Sequence, residues 1–313
     1  MPANLGPDYL AAEEEFRHAE SPFERIDALE KMYAALPKHK GTEKLQADLK
    51  RRLSQARKDG QKKGVSHAPP FYLVPHEGAG QVALVGPANS GKSSLVRALT
   101  HAHPEVAPYP FTTRVPQPGM MAFEDIQIQL LDLPPVAADF TEPWMPQALS
   151  RASECLLVVD VDDPDDLSEI DYVEERLAEW KLSEPRVMVA NKMDQAGSQG
   201  NLDVLQELYS GRYEFLPVSA QSGEGLPAFA RRCFELLAVV RVYTKAPGKK
   251  AESGAPYVLP HGATVLDAAR HVHKDFAEQL KFARLFHKSG GLDGLMVDRS
   301  HEVQDGDILE FHI

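Results

Sequence analysis

Between residues 81 and 242 the chain alternates short apolar runs with longer amphipathic stretches. The runs are QVALVG, IQIQLLDL, CLLVVDVDD, RVMVANK and FLPVSA, starting at Gln81, Ile126, Cys155, Arg186 and Phe215. Helical patterns follow at SSLVRALT and near 168–181, 201–210 and 226–242. Runs this short, set between helices, predict the strands of a mostly parallel sheet covered on both faces.

The flanks read differently. Residues 8–60 have helical spacing. Ser21-Pro22-Phe23-Glu24 offers an N-cap, a proline at the first helical position and a glutamate at N3. Phe23, Ile26, Leu29, Met32, Tyr33 and Leu36 follow on one face. Pro37 and Gly41 break the chain, and Thr42 can cap a second helix. On it Leu45, Leu49 and Leu53 form a narrow stripe among Lys and Arg. The expectation is a helical hairpin with one basic face, its thin stripe packed on the next domain or on a partner. Residues 60–80 form a Gly/Pro/Lys-rich connector, and KAPGKKAESGAP (245–256) a second polar linker. Beyond it, YVLP predicts a strand, Thr264 caps a helix to about Leu280, and FARLF, GLMV and ILEFHI predict strands of a small α+β domain. The expected divisions are 1–75, 76–245 and 246–313.

Composition narrows the class. No apolar run approaches the ~18–20 residues that span a bilayer, so no membrane role is expected. The N-terminus lacks a basic segment followed by an apolar one, so no signal peptide is expected. Cys155 lies in an apolar run and Cys233 on a predicted helix, which suits reduced core thiols in the cytoplasm. The net charge is -12, yet residues 38–63 hold ten Lys/Arg against three acids. That segment either contacts a polyanion or is a solvated helix face.

The first apolar run ends in candidate chemistry. Gly86-Pro87-Ala88-Asn89-Ser90-Gly91-Lys92-Ser93 fits G-x-x-x-x-G-K-[ST] between a strand and a helix. Its glycines let backbone N–H groups, through Ser94, wrap around phosphate oxygens. Lys92 then neutralises the β- and γ-phosphates, and the Ser93 hydroxyl ligates Mg²⁺. Asp132, at the end of a run, is the acid expected near that ion. Asn191-Lys192-Met193-Asp194 ends another run. An Asp194 carboxylate accepts from guanine N1–H and N2–H, a pair adenine does not offer. Asn191 is placed to tie this loop to the phosphate loop, and the Lys192 stem to lie on the base. Ser219-Ala220 closes the next strand, where a backbone N–H reaches guanine O6. All four elements sit at strand C-termini, where open α/β sheets bind ligands.

The set GPANSGKS, YPFTT (109–113), DLPP (132–135), NKMD and SA resembles the translation-factor-related GTPases. YPFTT resembles the Obg branch in particular, including the developmentally regulated GTP-binding (DRG) proteins. The stretch from YVLPHGATVLDAARHVHKDF to VQDGDILEFHI resembles their ubiquitin-like TGS domain. The lysine-rich N-terminal helices resemble the segment before a DRG G domain. The resemblance covers nearly the whole chain in the same order. It implies a ribosome- or RNA-associated regulatory GTPase using GTP, GDP and Mg²⁺, with the TGS-like domain available to a protein partner. Thr113, rather than Thr112, matches the switch I threonine that ligates Mg²⁺. Asn89 stands where several such GTPases hold a K⁺ ion that supplies charge to the transition state; the alternative is a plain loop brace.

Two residues bear on catalysis. The family pattern D-x-x-G has Pro135 in place of the glycine whose N–H bonds the γ-phosphate, and proline has no N–H. Val136 follows, where Ras-type enzymes carry a water-orienting Gln. Slow hydrolysis is expected, assigned to Lys92, Thr113 and Asn89, and a GTP-binding scaffold with little turnover is the alternative. Weaker signals receive structural readings. Asp160, Asp162, Asp163, Asp165 and Asp166 suit a solvated loop capping a helix. His261, His271, His273 and His287 lack zinc spacing. His101 and His103 belong to an exposed loop. Trp144 and Met145 suit core packing or a partner contact.

Overall fold

The leucine stripe of residues 45–53 is covered within its own unit, by three helices rather than two. The computed structural model describes residues 7–18, 22–36, 42–62, 70–100, 115–138, 141–163, 166–248, 255–288 and 293–313. The chain divides after residue 69 into two units. The first contains α1 (Pro7–His18), α2 (Pro22–Ala34) and α3 (Glu43–Lys62). Tyr9 and Ala12 of α1 join Leu29, Met32, Leu36 and Leu49 in a buried cluster, with Leu45 and Leu53 packed against it. The expected hairpin gains α1, which supplies the apolar face that a three-leucine stripe requires. Ser21 and 37–41 lie outside the described residues.

The second unit opens with an α/β sheet. Its elements are β1 (Gln81–Val85), α4 (Lys92–Leu99), β2 (Gln117–Phe123), β3 (Ile126–Asp132) and α5 (Met145–Leu149). Then come β4 (Glu154–Asp160), α6 (Asp166–Glu179), β5 (Val187–Asn191), α7 (Ser198–Leu208), β6 (Glu214–Pro217) and α8 (Leu226–Leu236). The order is β2-β3-β1-β4-β5-β6, parallel except for the β2–β3 hairpin. β1 and β5 are buried at every position, as a sheet with two covered faces requires. Alternate residues face opposite layers. Ala83, Val85, Leu157 and Val159 meet Ile170 and Val173 of α6, while Val82, Leu84, Leu156 and Val158 meet Leu95 of α4 and Phe229 of α8. β2 goes unread in the sequence because QPGMMAF has no continuous apolar run. Tyr72 and Val74 pack on the first layer, so 70–75 belong with this unit rather than with the N-terminal helices.

The predicted helix over 226–242 stops at Leu236. Ala238 takes φ 48°, and the β-branched run VVRVYT then forms β7 (Val239–Thr244). β7 joins a second sheet with β8 (Tyr257–Pro260), β9 (Phe282–His287), β10 (Asp293–Val297) and β11 (Asp307–His312), in the order β10-β9-β11-β7-β8. The division between sheets therefore falls near residue 238, not 245, and the polar linker is a connection inside the second sheet. Helices α9 (Val265–Val272) and α10 (Lys274–Gln279) cover this sheet. Thr264 caps α9 with a full capping box to Asp267, and His273 in extended backbone splits the single helix expected there.

Candidate nucleotide-binding site

The loop between β1 and α4 is shaped by two glycines. Gly86 has φ 154°, and a Cβ there would lie 2.2 Å from the Val158 carbonyl oxygen. Gly91 has φ 92°, and a Cβ would lie 2.1 Å from Asn191 Nδ2. Neither position accepts a side chain. Lys92, 5% exposed, curls into the loop. Its Nζ donates to the carbonyls of Gly86 at 3.0 Å and Pro87 at 2.5 Å, and to Ser90 Oγ at 3.2 Å. The ammonium thus stands at the loop's centre, with Ala88, Asn89, Ser93 and Ser94 around it in sequence. Asn89 is exposed at φ 62°, a conformation asparagine tolerates better than most residues.

Asn191 binds the site together. It is 1% exposed, donates through Nδ2 to the Ser90 carbonyl at 3.0 Å, and accepts through Oδ1 from Ala220 N–H at 3.2 Å. One side chain therefore joins the phosphate loop to the β6–α8 loop. The Ala220 N–H, expected at a base O6, is engaged here by Asn191. Ser219 Oγ accepts from the N–H groups of Gln221 and Ser222, which leaves its proton for Asp194 Oδ1 at 2.5 Å. Lys192, at φ 66°, pairs with Asp160 at the end of β4. Asp160 is 7% exposed and so is not part of a solvated loop, because this ion pair and its bond to Asp162 N–H hold it. A cleft of about 340 Å³ opens between these loops, lined by Gly91, Ser94, Asn191, Lys192, Asp194 and Ala220. Arg97, Gln195 and Gln221 also line it and were not singled out from sequence, since no motif marks them.

Asp132 is 0% exposed, and neither carboxylate oxygen has a hydrogen-bond partner. Burial pushes its pKa up, opposed by the nearby Ser93 hydroxyl and the Lys92 charge. A buried carboxylate with two open oxygens, next to a phosphate-loop serine, fits a divalent cation. Beyond it, Val136 N–H donates to the Gly86 carbonyl at 3.2 Å and the Val136 side chain is 1% exposed. Trp144 stacks on Tyr72 at 5.8 Å and meets Phe71 edge-on, placing it and Met145 in the core. Thr113, Thr112, YPFTT, His101 and His103 lie outside the described residues.

Known proteins share this arrangement. Residues 81–192 match the family model for the 50S ribosome-binding GTPase, and 240–313 match the TGS domain. An uncharacterized GTP-binding protein of Methanocaldococcus jannaschii is 26% identical over 98% of this chain and 94% of its own length. Developmentally-regulated G-protein 1 of Arabidopsis thaliana is 25% identical over 92% and 90%. The chain thus carries a GTPase domain followed by a TGS domain, and over most of its length it is similar to the DRG-type GTPases. A solved GTP-binding protein from Pyrococcus horikoshii shares the fold at TM-score 0.51 and 17% identity, over 74% of this chain and 99% of its own. Proteins of the GTPase family matched over 81–192 bind GTP and GDP. Its TGS domain starts one residue into β7, where the two sheets divide. No described helix is long and apolar enough to cross a membrane.

Proposed function

We propose that this chain is a Mg²⁺-dependent GTPase with slow intrinsic turnover that associates with the ribosome or another RNA-containing assembly. The observation that carries the reading is the convergence on Asn191 of the phosphate loop and the loop bearing Ser219 and Ala220. In this reading the loop from Pro87 to Ser94, through the N–H groups of Ala88 onward, and the Lys92 ammonium bind the phosphates, and Asp194, oriented by Ser219, selects guanine. Ser93, Asp132 and Thr113 would hold Mg²⁺, which supplies charge neutralisation across the β- and γ-phosphates.

Slow turnover is supported by the start of switch II. Pro135 has no N–H, and the Val136 N–H is spent on the Gly86 carbonyl. The Val136 side chain is in the core, so nothing at this position orients water. Asn89 stands on the rim of the loop, where K⁺ would add charge; its left-handed backbone alone also accounts for an asparagine. The second reading, a GTP-binding scaffold whose TGS domain does the recognition, rests on the same Pro135. Ribosome association draws on the family model and on mitochondrial ribosome-associated GTPase 2 of Pongo abelii, 36% identical over 46% of this chain and 37% of its own length.

Steady-state turnover of purified protein with Mg²⁺, in K⁺ and then in Na⁺, tests the enzyme. Measurable phosphate release, faster in K⁺, supports the first reading with an Asn89 role; no release in either salt supports the scaffold. Sedimentation of lysate on a gradient, with and without a non-hydrolysable GTP analogue, tests the ribosome. The protein is expected to move with ribosomal particles when the analogue is present, and absence from those fractions overturns the association.

A further inference from the structure

The two sheets of the second unit meet at one buried cation. Arg241 on β7 is 8% exposed. Its fork is taken on one side by Asp305 of the TGS domain, with Nε to Oδ1 at 2.9 Å and Nη2 to Oδ2 at 2.7 Å. The remaining Nη1 reaches out of that domain to Glu124 Oε2 at 2.5 Å and Asp125 Oδ1 at 3.1 Å. Those two acids form the closed turn of the β2–β3 hairpin. Asp125 is also bound by Tyr243 from β7 and by Lys288 Nζ at 2.9 Å. The Arg241 guanidinium lies 4.9 Å from the Phe234 ring centre on α8, and Phe234 stacks on Phe123 at the end of β2. A planar bidentate fork fixes direction as well as distance, which an ammonium does not.

The other end of that hairpin is the nucleotide site. β2 and β3 pair without a bulge over seven residues, from Phe123↔Ile126 at the turn to Gln117↔Asp132 at the open end. Such a ladder is about 20 Å long. β2 is the sheet's edge strand, and β1 pairs with β3 over Gln129–Asp132, the half near the nucleotide. The hairpin is held by the β1 ladder near Asp132, by the Gly78–Ala79 backbone that bridges Ile128 and Gln127, by Ile126 and Ile128 in the core, and by the clamp at Glu124 and Asp125. Removing the clamp loosens the turn at Glu124 and Asp125 while the backbone bridges and the core packing remain.

We infer that Arg241 is a positioning residue for the magnesium side of the nucleotide site, acting on Asp132 through the β2–β3 hairpin that it clamps to the TGS domain. This rests on the reading of Asp132 as a Mg²⁺-side ligand. The β1 ladder limits the swing, so the effect is moderate. It falls on Asp132 and spares the phosphate-loop and Asp194 contacts, which hang on other strands. The TGS domain thereby contributes to how the G domain holds its metal, and a partner that grips the TGS domain has a route to the nucleotide.

The test uses the full chain, with GDP and a non-hydrolysable GTP analogue titrated calorimetrically across a range of Mg²⁺. The decisive variant is Glu124→Gln with Asp125→Asn, because both residues are on the surface side of the clamp and leave the TGS core intact. It is expected to raise the Mg²⁺ needed for half-maximal analogue binding roughly three- to tenfold, the scale of small displacements at a site. GDP affinity with Mg²⁺ chelated is expected to stay within about twofold, since a hairpin tilt does not reach those contacts. Arg241→Lys, which keeps charge but loses the fork, falls between that variant and wild type. An unchanged Mg²⁺ requirement overturns the inference, as does an equal loss of both affinities, which marks a merely structural clamp. Magnesium-independent analogue binding by wild type overturns the Asp132 reading and this inference with it.

Discussion

Asp194 is oriented before any base arrives. Two backbone N–H groups occupy the Ser219 oxygen, so its proton goes to the carboxylate. Asp194→Asn replaces an acceptor by a donor, and preference is expected to move from guanine to xanthine nucleotides. Losing two hydrogen bonds to a site built for them is worth about 100-fold or more in GTP affinity, read by competition binding. Equal GTP affinity in the variant would remove Asp194 from base recognition. Asp132 makes the opposite kind of statement. Its buried oxygens lack partners, so Asp132→Asn is expected to raise the melting temperature of nucleotide-free protein while weakening Mg²⁺-dependent analogue binding. A lower melting temperature would show that the carboxylate is held by contacts rather than kept for a metal. At Pro135, glycine restores a donor. One charge-assisted hydrogen bond is worth roughly 1.5–3 kcal/mol, against about 0.4–1 kcal/mol of added loop entropy. Pro135→Gly is therefore expected to strengthen analogue binding over GDP by up to about 10–100-fold. Equal changes for both nucleotides would show that switch II does not meet the γ-phosphate.

At the scale of elements, α3 carries the open question of the basic face. Arg51 and Arg52 both pair with Asp48, at 3.0 Å and 2.7 Å, and Lys50 lies over the Tyr33 ring. Part of the charge counted in the sequence is thus met within the unit, while the surface pairs themselves add little stability. Neutralising Lys50, Arg51, Arg52, Arg57 and Lys58 together is expected to weaken ribosome or RNA association and to flatten its salt dependence by about 2–4 in the slope of log K against log salt. Unchanged binding and slope would make α3 a solvated face.

At the scale of the whole molecule, the clamp between the sheets has an acid signature. Burial alone would raise the Asp125 pKa, but hydrogen bonds from Tyr243 and Lys288, with the Lys288 and Arg241 charges, hold it at about 2. A carboxylate whose folded pKa lies below its unfolded value, 3.8, stabilises the fold above that value. The contribution is lost as pH falls from about 4 to about 2. Asp125→Asn is expected to be less stable than wild type near neutrality, with the gap closing through that window, as urea melts at each pH would record. A gap independent of pH would show that Asp125 is held by shape rather than charge.

Much of this protein was legible in its sequence because the signals are local. A strand run, a G-x-x-x-x-G-K-S turn and a helix are contiguous, and NKMD and SA each end a strand, so chain order alone brought them to one edge of a parallel sheet. The TGS-like strands and the Thr264 cap were equally local. Other features depend on pairs far apart in the chain. The third N-terminal helix mattered only once Tyr9 and Ala12 had to cover Leu49. β7 read as the end of a helix until the second sheet offered it partners on both sides. Asp160 read as solvated until Lys192, 32 residues away, paired with it. Arg241 had no motif around it, since Glu124 and Asp125 are 117 and 116 residues away. The sequence alone determined which motif-bearing loops meet at one edge of the parallel sheet, because covalent order carries those motifs. Only the tertiary structure decided where the domains divide and how they are joined, because burial and ion pairing depend on neighbours that the chain brings together by folding.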